Sequence, residues 1–295
     1  MTALVPLTVA VAACDRPEPL RRCLTALASG GVRPAQLLVV DQSGGDGVAA
    51  VVHGLAIPGT RVDYLRQPRR GLSASRNAAL AAATQSLIAF TDDDCVPAPD
   101  WLATVSGVFG ESAAPDAVTG RVLPLGEERP GTFVVSPRTA TERMDYRGRA
   151  VPWTVGTGGN FTARREWLDR VGGFDERLGA GSPGRAAEDA DLLYRLLRAG
   201  ATIRYEPAAV VYHERQTEAQ RLASRWGYAH GITALCGLWL RRGDPYALRL
   251  LAAWLGHQSG ALGTATLRGD WPLARQRVLS LRGGLRGFWY GLRLP

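Results

Sequence analysis

The sequence contains no lysine: all 35 basic side chains among its 295 residues are arginine. A Schiff-base lysine, a lysine general base and a lysine-bearing phosphate loop are therefore excluded, and several nucleotide-handling families with them. Cysteine is scarce. Cys14, Cys23, Cys95 and Cys236 never fall in a C-x-x-C spacing, so neither a zinc site nor a disulfide framework is indicated, and a reduced, cytoplasmic setting is expected. Residues 1–6 have no basic region and no apolar core, which argues against a secretory signal. Long apolar runs are missing too; the best stretch, 228–240, is broken by His230 and two glycines and is too short to span a bilayer.

What is present is organised around Leu87-Ile88-Ala89-Phe90-Thr91-Asp92-Asp93-Asp94-Cys95-Val96-Pro97. An apolar run of strand character ends in three consecutive carboxylates and a proline-bounded turn. In an open α/β sheet, the carboxyl ends of strands are where ligands bind. Three adjacent acids repel one another and call for a compensating cation. Hard divalent ions such as Mg²⁺ or Mn²⁺ prefer carboxylate oxygens, shared with the phosphates of a substrate, so the run reads as a metal-bridged diphosphate site. The other reading of the same residues is a solvated acidic turn that caps the helix expected from Asp100.

Hydrophobic periodicity places the surrounding elements. Strands are expected at 7–13, 36–40, 61–65 and 87–92, with helices between them. Leu20, Cys23, Leu24, Leu27 and Ala28 give the first helix its i, i+3, i+4 pattern, Gly44-Gly45-Asp46-Gly47 opens a short one, and Ser73 is a candidate cap for an Ala-rich one. Four such alternations within about 110 residues predict a mostly parallel sheet with right-handed crossovers. A further helix (100–109) and strand (117–121) follow, and then an irregular stretch, 122–151, of the kind that carries specificity. The cluster Gly156-Thr157-Gly158-Gly159-Asn160 comes next, then a helix near 164–170. The loop 179–184 has the composition of a mobile lid. Glu188 and Asp189 head a helix bearing Leu192, Leu193, Leu196 and Leu197, and two strands, 202–205 and 209–212, end at His213.

The formal charge of +8 is lopsided. Residues 215–295 hold 12 arginines against Glu218, Asp244 and Asp270, a net of +9, which leaves about −1 for residues 1–214. We therefore divide the chain into a body, 1–214, and a basic, Trp-rich extension, 215–295, which reads as helices broken by glycines. Five of the eight tryptophans, Trp226, Trp239, Trp254, Trp271 and Trp289, lie in that extension. Two readings stand: aromatic packing in a helical core, or a face that meets acidic lipid headgroups, an anionic acceptor or another partner.

Taken together, these motifs resemble the family 2 glycosyltransferases of the GT-A fold, over roughly residues 5–215. The matching elements, in order, are Val11-Ala12-Ala13-Cys14-Asp15-Arg16-Pro17, Val39-Val40-Asp41, Gly71-Leu72-Ser73-Ala74-Ser75-Arg76-Asn77, the D-x-D motif Asp92-Asp93-Asp94, Gly158-Gly159-Asn160-Phe161, Gly172-Gly173-Phe174-Asp175-Glu176 and Glu188-Asp189. The resemblance implies a Rossmann-like, mostly parallel sheet flanked by helices, with the extension appended. It implies a nucleoside-diphosphate sugar donor of the UDP, dTDP or GDP type, an acceptor hydroxyl, a divalent metal (Mn²⁺ or Mg²⁺) and inversion at the transferred sugar. Asp41 would contact the nucleobase, Asp94 the metal, Asp92 the ribose or the metal, and Asp189 would be the base, with Asp191 or Glu188 as the alternatives. His213 stands where some relatives place a further metal ligand. Donor contacts would come from Ala13, Asp15, Arg16, Gly71, Arg76, Asn77, Asp93, Gly158, Gly159, Asn160 and Glu188.

The chain departs from the family pattern at Gln42, where a second acid is common, and at Leu222, where the Q-x-x-R-W motif of processive synthases has its glutamine ahead of Arg225-Trp226. A processive, membrane-embedded synthase is therefore not expected. A sugar-1-phosphate nucleotidyltransferase would open with a G-x-G-x-R loop and use a lysine, and neither occurs. The alternative from another class is a catalytically inactive nucleotide-sugar-binding protein recruited to a membrane or partner by the Arg/Trp extension. The body carries no nucleic-acid motif, so nucleic acid is not expected as a partner, whereas peripheral contact with the inner face of a membrane and a homo-oligomer both remain open.

Overall fold

Val and Leu fill both faces of the segments around Val9 and Val39, which is what a strand buried between two layers of helices requires. The computed structural model describes residues 3–295; Met1 and Thr2, which open the stretch weighed against a secretory signal, lie outside the described residues. The chain forms two units. One runs to Phe174 and resumes over Asp189–Arg215, and the other joins Asp175–Glu188 to Gln216–Pro295.

In the first unit the elements alternate: β1 Ala3–Ala13, α1 Pro17–Ser29, β2 Val32–Asp41, α2 Gly47–His53, β3 Arg61–Arg66, α3 Leu72–Ala82 and β4 Leu87–Asp92. Then follow β5 Cys95–Pro97, α4 Trp101–Phe109, β6 Ala117–Pro124, the short β7 Thr132–Phe133 and β8 Met144–Tyr146, α5 Pro152–Val155, β9 Phe161–Arg164, α6 Arg165–Arg170, α7 Glu188–Arg198 and β10 Ile203–His213. Among the described residues nine strands join one sheet in the order β3-β2-β1-β4-β9-β6-β10-β5, with β8 on the early half of β10. The β1–β2, β2–β3, β1–β4 and β6–β10 pairs are parallel, while β9, β5 and β8 run antiparallel to their neighbours.

One face of the sheet packs Leu7, Val9, Leu37 and Val39 against Leu20 and Leu24 of α1 and Trp101 and Val105 of α4. The other packs Leu38, Ile88 and Phe90 against α3 and against Leu192, Leu193, Leu196 and Leu197 of α7, whose i, i+1, i+4, i+5 spacing gathers them on one side. Three local expectations change. The two closing strands are a single β10, whose pairing with β6 shifts register between Glu206 and Val210, next to Pro207. The strand β9 was not expected, because four residues are too few to show a period. Ser73 is buried inside the first turn of α3, and the helix is entered from Gly71, whose φ of 99° is open to glycine.

The second unit contains α8 Glu218–Arg241, α9 Tyr246–Leu267 and α10 Trp271–Arg293. Gly243 and Gly269, at φ 80° and 69°, stand in the turns between these helices as the expected breaks, whereas the glycines within the helices do not interrupt them. Gly283, Gly287 and Gly291 repeat every four residues along one side of α10, and α8 lies so close that a Cβ on Gly287 or Gly291 would strike the carbonyls of His230 or Ala234. Trp226 covers Gly283, and Trp254 covers Gly284. His230 stacks on Trp226 at 5.0 Å and tilts against Tyr290 at 5.5 Å, and burial lowers its pKa. The segment read as a lid closes on itself through Gly184 N–H to the Arg177 carbonyl at 2.9 Å and the Ser182 hydroxyl to the Gly179 carbonyl at 2.8 Å. Among the described residues, no helix is long and apolar enough to cross a membrane.

Candidate active site

Strand register brings the motifs to one edge of the sheet. Ala12 pairs with Asp92, and Ala13 with Asp41, so β1, β2 and β4 end at the same level. The β1 turn passes through Asp15 at φ 56°, a left-handed conformation that Asp tolerates. Asp15 is tied there by the Gly44 N–H to its Oδ1 at 3.0 Å, by its own N–H to Ser43 Oγ at 2.7 Å, and by Arg69.

The three acids are interlocked with two arginines. Arg16 grips both oxygens of Asp93 through Nε and Nη2, and donates from Nη1 to Asp94 Oδ2 at 2.7 Å. Arg76, fully buried, donates to Asp92 Oδ1 at 2.8 Å and lies over the Phe174 ring at 5.3 Å. None of the three caps α4, whose N-cap Asp100 makes no side-chain cap bond, so the helix-cap reading of the acidic run fails. Burial pushes the Asp93 carboxyl up to about 7 even with Arg16 in place. The two glycines opposite explain themselves: a Cβ on Gly158 would lie 2.6 Å from Arg76 Nη1, and one on Gly159 would lie 2.8 Å from Asp92 Oδ2.

Asp94 and His213 meet because β10 ends beside β5, with His213 paired to Cys95. The His213 Nδ1–H donates to the Glu214 carbonyl at 2.8 Å, since a carbonyl can only accept. Nε2 lies 3.6 Å from Asp94 Oδ1. In the neutral ring that nitrogen carries the lone pair, and a cation shared with Asp94 would satisfy both. Asp92, Asp94, Cys95 and His213 each place a ligand atom within 4.8 Å of the others. Burial holds the Cys95 thiol well above its usual pKa, and hence protonated, which leaves two carboxylates and an imidazole, a donor set that suits Mn²⁺ or Mg²⁺.

A family model described as "Glycosyltransferase like family 2" matches residues 5–229. The chain belongs to the family 2 glycosyltransferases. It is 30% identical over 234 residues to the "Pre-mycofactocin glycosyltransferase" of Mycobacterium tuberculosis, a match that takes in 77% of this chain and 46% of that protein. The chain thus spans about half the length of these mycobacterial relatives. Among solved structures it superposes with a TM-score of 0.64 on the mannosyltransferase PcManGT from Pyrobaculum calidifontis in complex with GDP-Man and Mn²⁺, covering 96% of this chain and 87% of that one at 18% identity. It superposes with a TM-score of 0.66 on S. aureus TarS in complex with UDP-GlcNAc, covering 98% and 90% at 14% identity. The shared fold is GT-A.

In this family 2 glycosyltransferase, the remaining candidate residues fall into an open group and a closed one. Asp189 is open by exposure alone: partly exposed at the head of α7, it accepts from Gly158 N–H at 2.8 Å on one oxygen and from Ala190 N–H at 2.7 Å on the other. Its neighbour Asp191 is fully buried against Arg195 at 2.7 Å, and Glu188 is buried as well. Asp41 is closed, with Oδ1 on Ser43 N–H at 2.7 Å and Oδ2 on the Tyr64 hydroxyl at 2.6 Å. Asn160 bonds Trp101 Nε1 and the carbonyls of Arg121 and Ala209, while Asn77 bonds both backbone groups of Phe174. These two amides tie loops to the body, and Asn160 is buried.

Gln42, Arg69, Tyr64 and Trp101 were not anticipated. Gln42 accepts the Arg70 and Gly71 N–H groups at 2.9 and 3.0 Å and donates to the Gly71 carbonyl at 3.0 Å. An acid cannot make that last bond, so the departure from the family pattern is itself the signal that the Gly71 turn is held by an amide.

Proposed function

We propose that the protein moves a sugar from a nucleoside-diphosphate sugar, of the UDP, dTDP or GDP type, to an acceptor hydroxyl in one inverting displacement. The observation that carries the reading is the pairing of two groups: the cluster of Asp92, Asp94 and His213, whose ligand atoms lie within 4.8 Å of one another, and the partly exposed carboxylate of Asp189 anchored on Gly158. Asp94, Asp92 and His213 would hold Mn²⁺ or Mg²⁺, and the bound ion supplies Lewis-acid neutralisation of the charge on the departing diphosphate. Arg16 and Arg76 bring two further cations to the same edge, suited to charge-assisted bonds with phosphate oxygens. Gly158 and Gly159 let the loop backbone pack directly on Arg76 and Asp92, where a side chain would collide. Asp189 takes the acceptor hydroxyl proton as general base from the face opposite the leaving group, and that arrangement inverts the anomeric carbon.

The extension supports contact with an anionic lipid surface. Trp271, Arg275, Val278, Leu279, Arg282, Leu285, Arg286, Trp289 and Arg293 follow an i, i+4, i+7, i+8 spacing along α10, and all are exposed, Trp271 at 67% and Leu285 at 62%. No acid occurs in α10, so charge complementarity singles out acidic headgroups, with tryptophans at both ends of the stripe to enter the interface.

The experiment is a thermal-shift panel of UDP, dTDP, GDP and CMP, with and without Mn²⁺, on the wild type and Asp94→Asn. The expected result is stabilisation by one nucleoside diphosphate that requires the metal and disappears in the variant. No stabilisation under any condition would overturn the reading.

A further inference from the structure

A cavity of about 370 Å³ opens in the first unit, at the small end of the roughly 300–1,000 Å³ range of small-molecule pockets. Its walls include Tyr146, Tyr205, Met144, Thr154 and Arg138. Arg138 comes from the irregular stretch after β6 and is held in place by a two-way backbone bridge with Val122 at 3.0 Å.

The guanidinium is matched only in part. Its Nη1 donates to the Pro137 carbonyl at 3.0 Å and its Nη2 to the Trp153 carbonyl, both neutral, and its Nε–H is buried with no hydrogen-bond partner. Among the described residues no carboxylate lies within ion-pair distance of it. The acid whose field reaches it is Asp189, whose oxygens are already engaged by Gly158 and Ala190, and burial lowers the Arg138 pKa. A desolvated cation that meets only carbonyls is costly unless an anion joins it. Glu142, at the rim, is exposed, so water and salt screen its charge.

We propose that this cavity receives the acceptor, and that Arg138 selects an acceptor carrying an oxyanion group, a carboxylate or a phosphate, over a neutral one. The inference rests on the transferase reading above and names the substrate class for its second site. The two tyrosine rings offer apolar faces to a sugar or another ring, and the forked guanidinium matches an oxyanion placed beside them. Asp189 is the acid whose charge acts on Arg138, so an acid anchored there lies within electrostatic range of the base.

The test measures binding, in the presence of Mn²⁺ and the stabilising nucleoside diphosphate, of methyl glucuronoside, glucose 6-phosphate and methyl glucoside. Wild type is expected to bind at least one acidic probe roughly tenfold or more tighter than the neutral one, as a charge-assisted hydrogen bond implies. Preference for the glucuronoside identifies a carboxylate, and preference for the sugar phosphate a phosphate. Arg138→Met is expected to erase the preference while leaving the nucleotide-induced thermal shift in place, and Arg138→Lys to keep part of it. Thr154→Trp, which fills the cavity from an exposed position, is expected to abolish probe binding, and it serves if the arginine variants do not fold. Equal binding of acidic and neutral probes by wild type, a preference that survives Arg138→Met, or unchanged binding in Thr154→Trp overturns the proposal. Loss of the nucleotide shift in wild type would instead overturn the transferase reading.

Discussion

The sheet of the first unit and helix α10 of the second use the same side chain in opposite ways. In the first, arginine is a counterion: Arg16 serves Asp93 and Asp94, Arg76 serves Asp92, Arg195 serves Asp191, and Arg204 serves Asp145 and Glu111. In the second, the arginines on the outer side of α10 have no acid along their helix and stand in solvent among tryptophans and leucines. The difference lies in the cost of burial. A carboxylate taken out of water must be matched, and the planar fork of arginine matches it bidentately. A guanidinium left in water costs nothing and stays available to a partner.

The largest expected effect falls in the first unit at Asp189, whose hydrogen-bond partners are backbone N–H groups. Asp189→Asn should reduce sugar transfer by roughly 10²–10⁴-fold, the span of general base catalysis, while the metal-dependent nucleotide shift persists. A variant with near-normal turnover would move the base elsewhere. The second half of that comparison is broken on α10. Arg282→Glu with Arg286→Glu should weaken binding to phosphatidylglycerol vesicles by roughly thirtyfold, at about 1 kcal/mol per arginine, and leave weak binding to phosphatidylcholine unchanged. Vesicle binding indifferent to those changes would remove the lipid assignment.

A smaller effect sharpens the counterion argument. Arg16→Met strands the buried Asp93 carboxylate and should cost about 1–3 kcal/mol of stability, a figure reduced because Arg16 is itself half-exposed. Adding Asp93→Asn should restore most of the loss, and a double variant as unstable as the single one would contradict the pairing. The smallest effect is one of pH. Burial raises the Asp93 pKa from 3.8 to about 7, so the folded protein binds more protons than the unfolded chain between those values. Stability of the chelator-treated protein should therefore fall as pH rises across that window, and Asp93→Asn should flatten the slope in urea titrations taken at several pH values.

Much of the fold was legible because it rests on local patterns. The runs around Val9, Val39 and Ile88 carry strand character, and the spacing of Leu20, Leu24 and Leu27 carries the helix between them. What escaped was either too short or made of contacts between distant residues. Four residues of β9 show no period, and a proline beside a register shift split β10 into two apparent strands. The glycines of α10 looked like breaks because a notch for a neighbouring helix and a helix terminator are the same residue in a string of letters. The tryptophans of the extension answered both readings at once: Trp226 and Trp254 pack on glycines, whereas Trp271 and Trp289 face solvent.

The acidic run, the paired glycines and the Glu188-Asp189 helix start are composition and order, and the sequence alone determined that they exist, that lysine chemistry is absent and that the positive charge sits in the last 81 residues. Only the tertiary structure decided which acid meets which arginine, that His213 turns its Nε2 toward Asp94, that Asp41, Asn77 and Asn160 are bonded within the protein, and that Arg138 lines a cavity without a carboxylate partner. The reason is physical. Strand and helix preferences are read over a few neighbouring residues, whereas the Arg76–Asp92 and His213–Asp94 meetings join groups 16 and 119 positions apart, brought together by the fold.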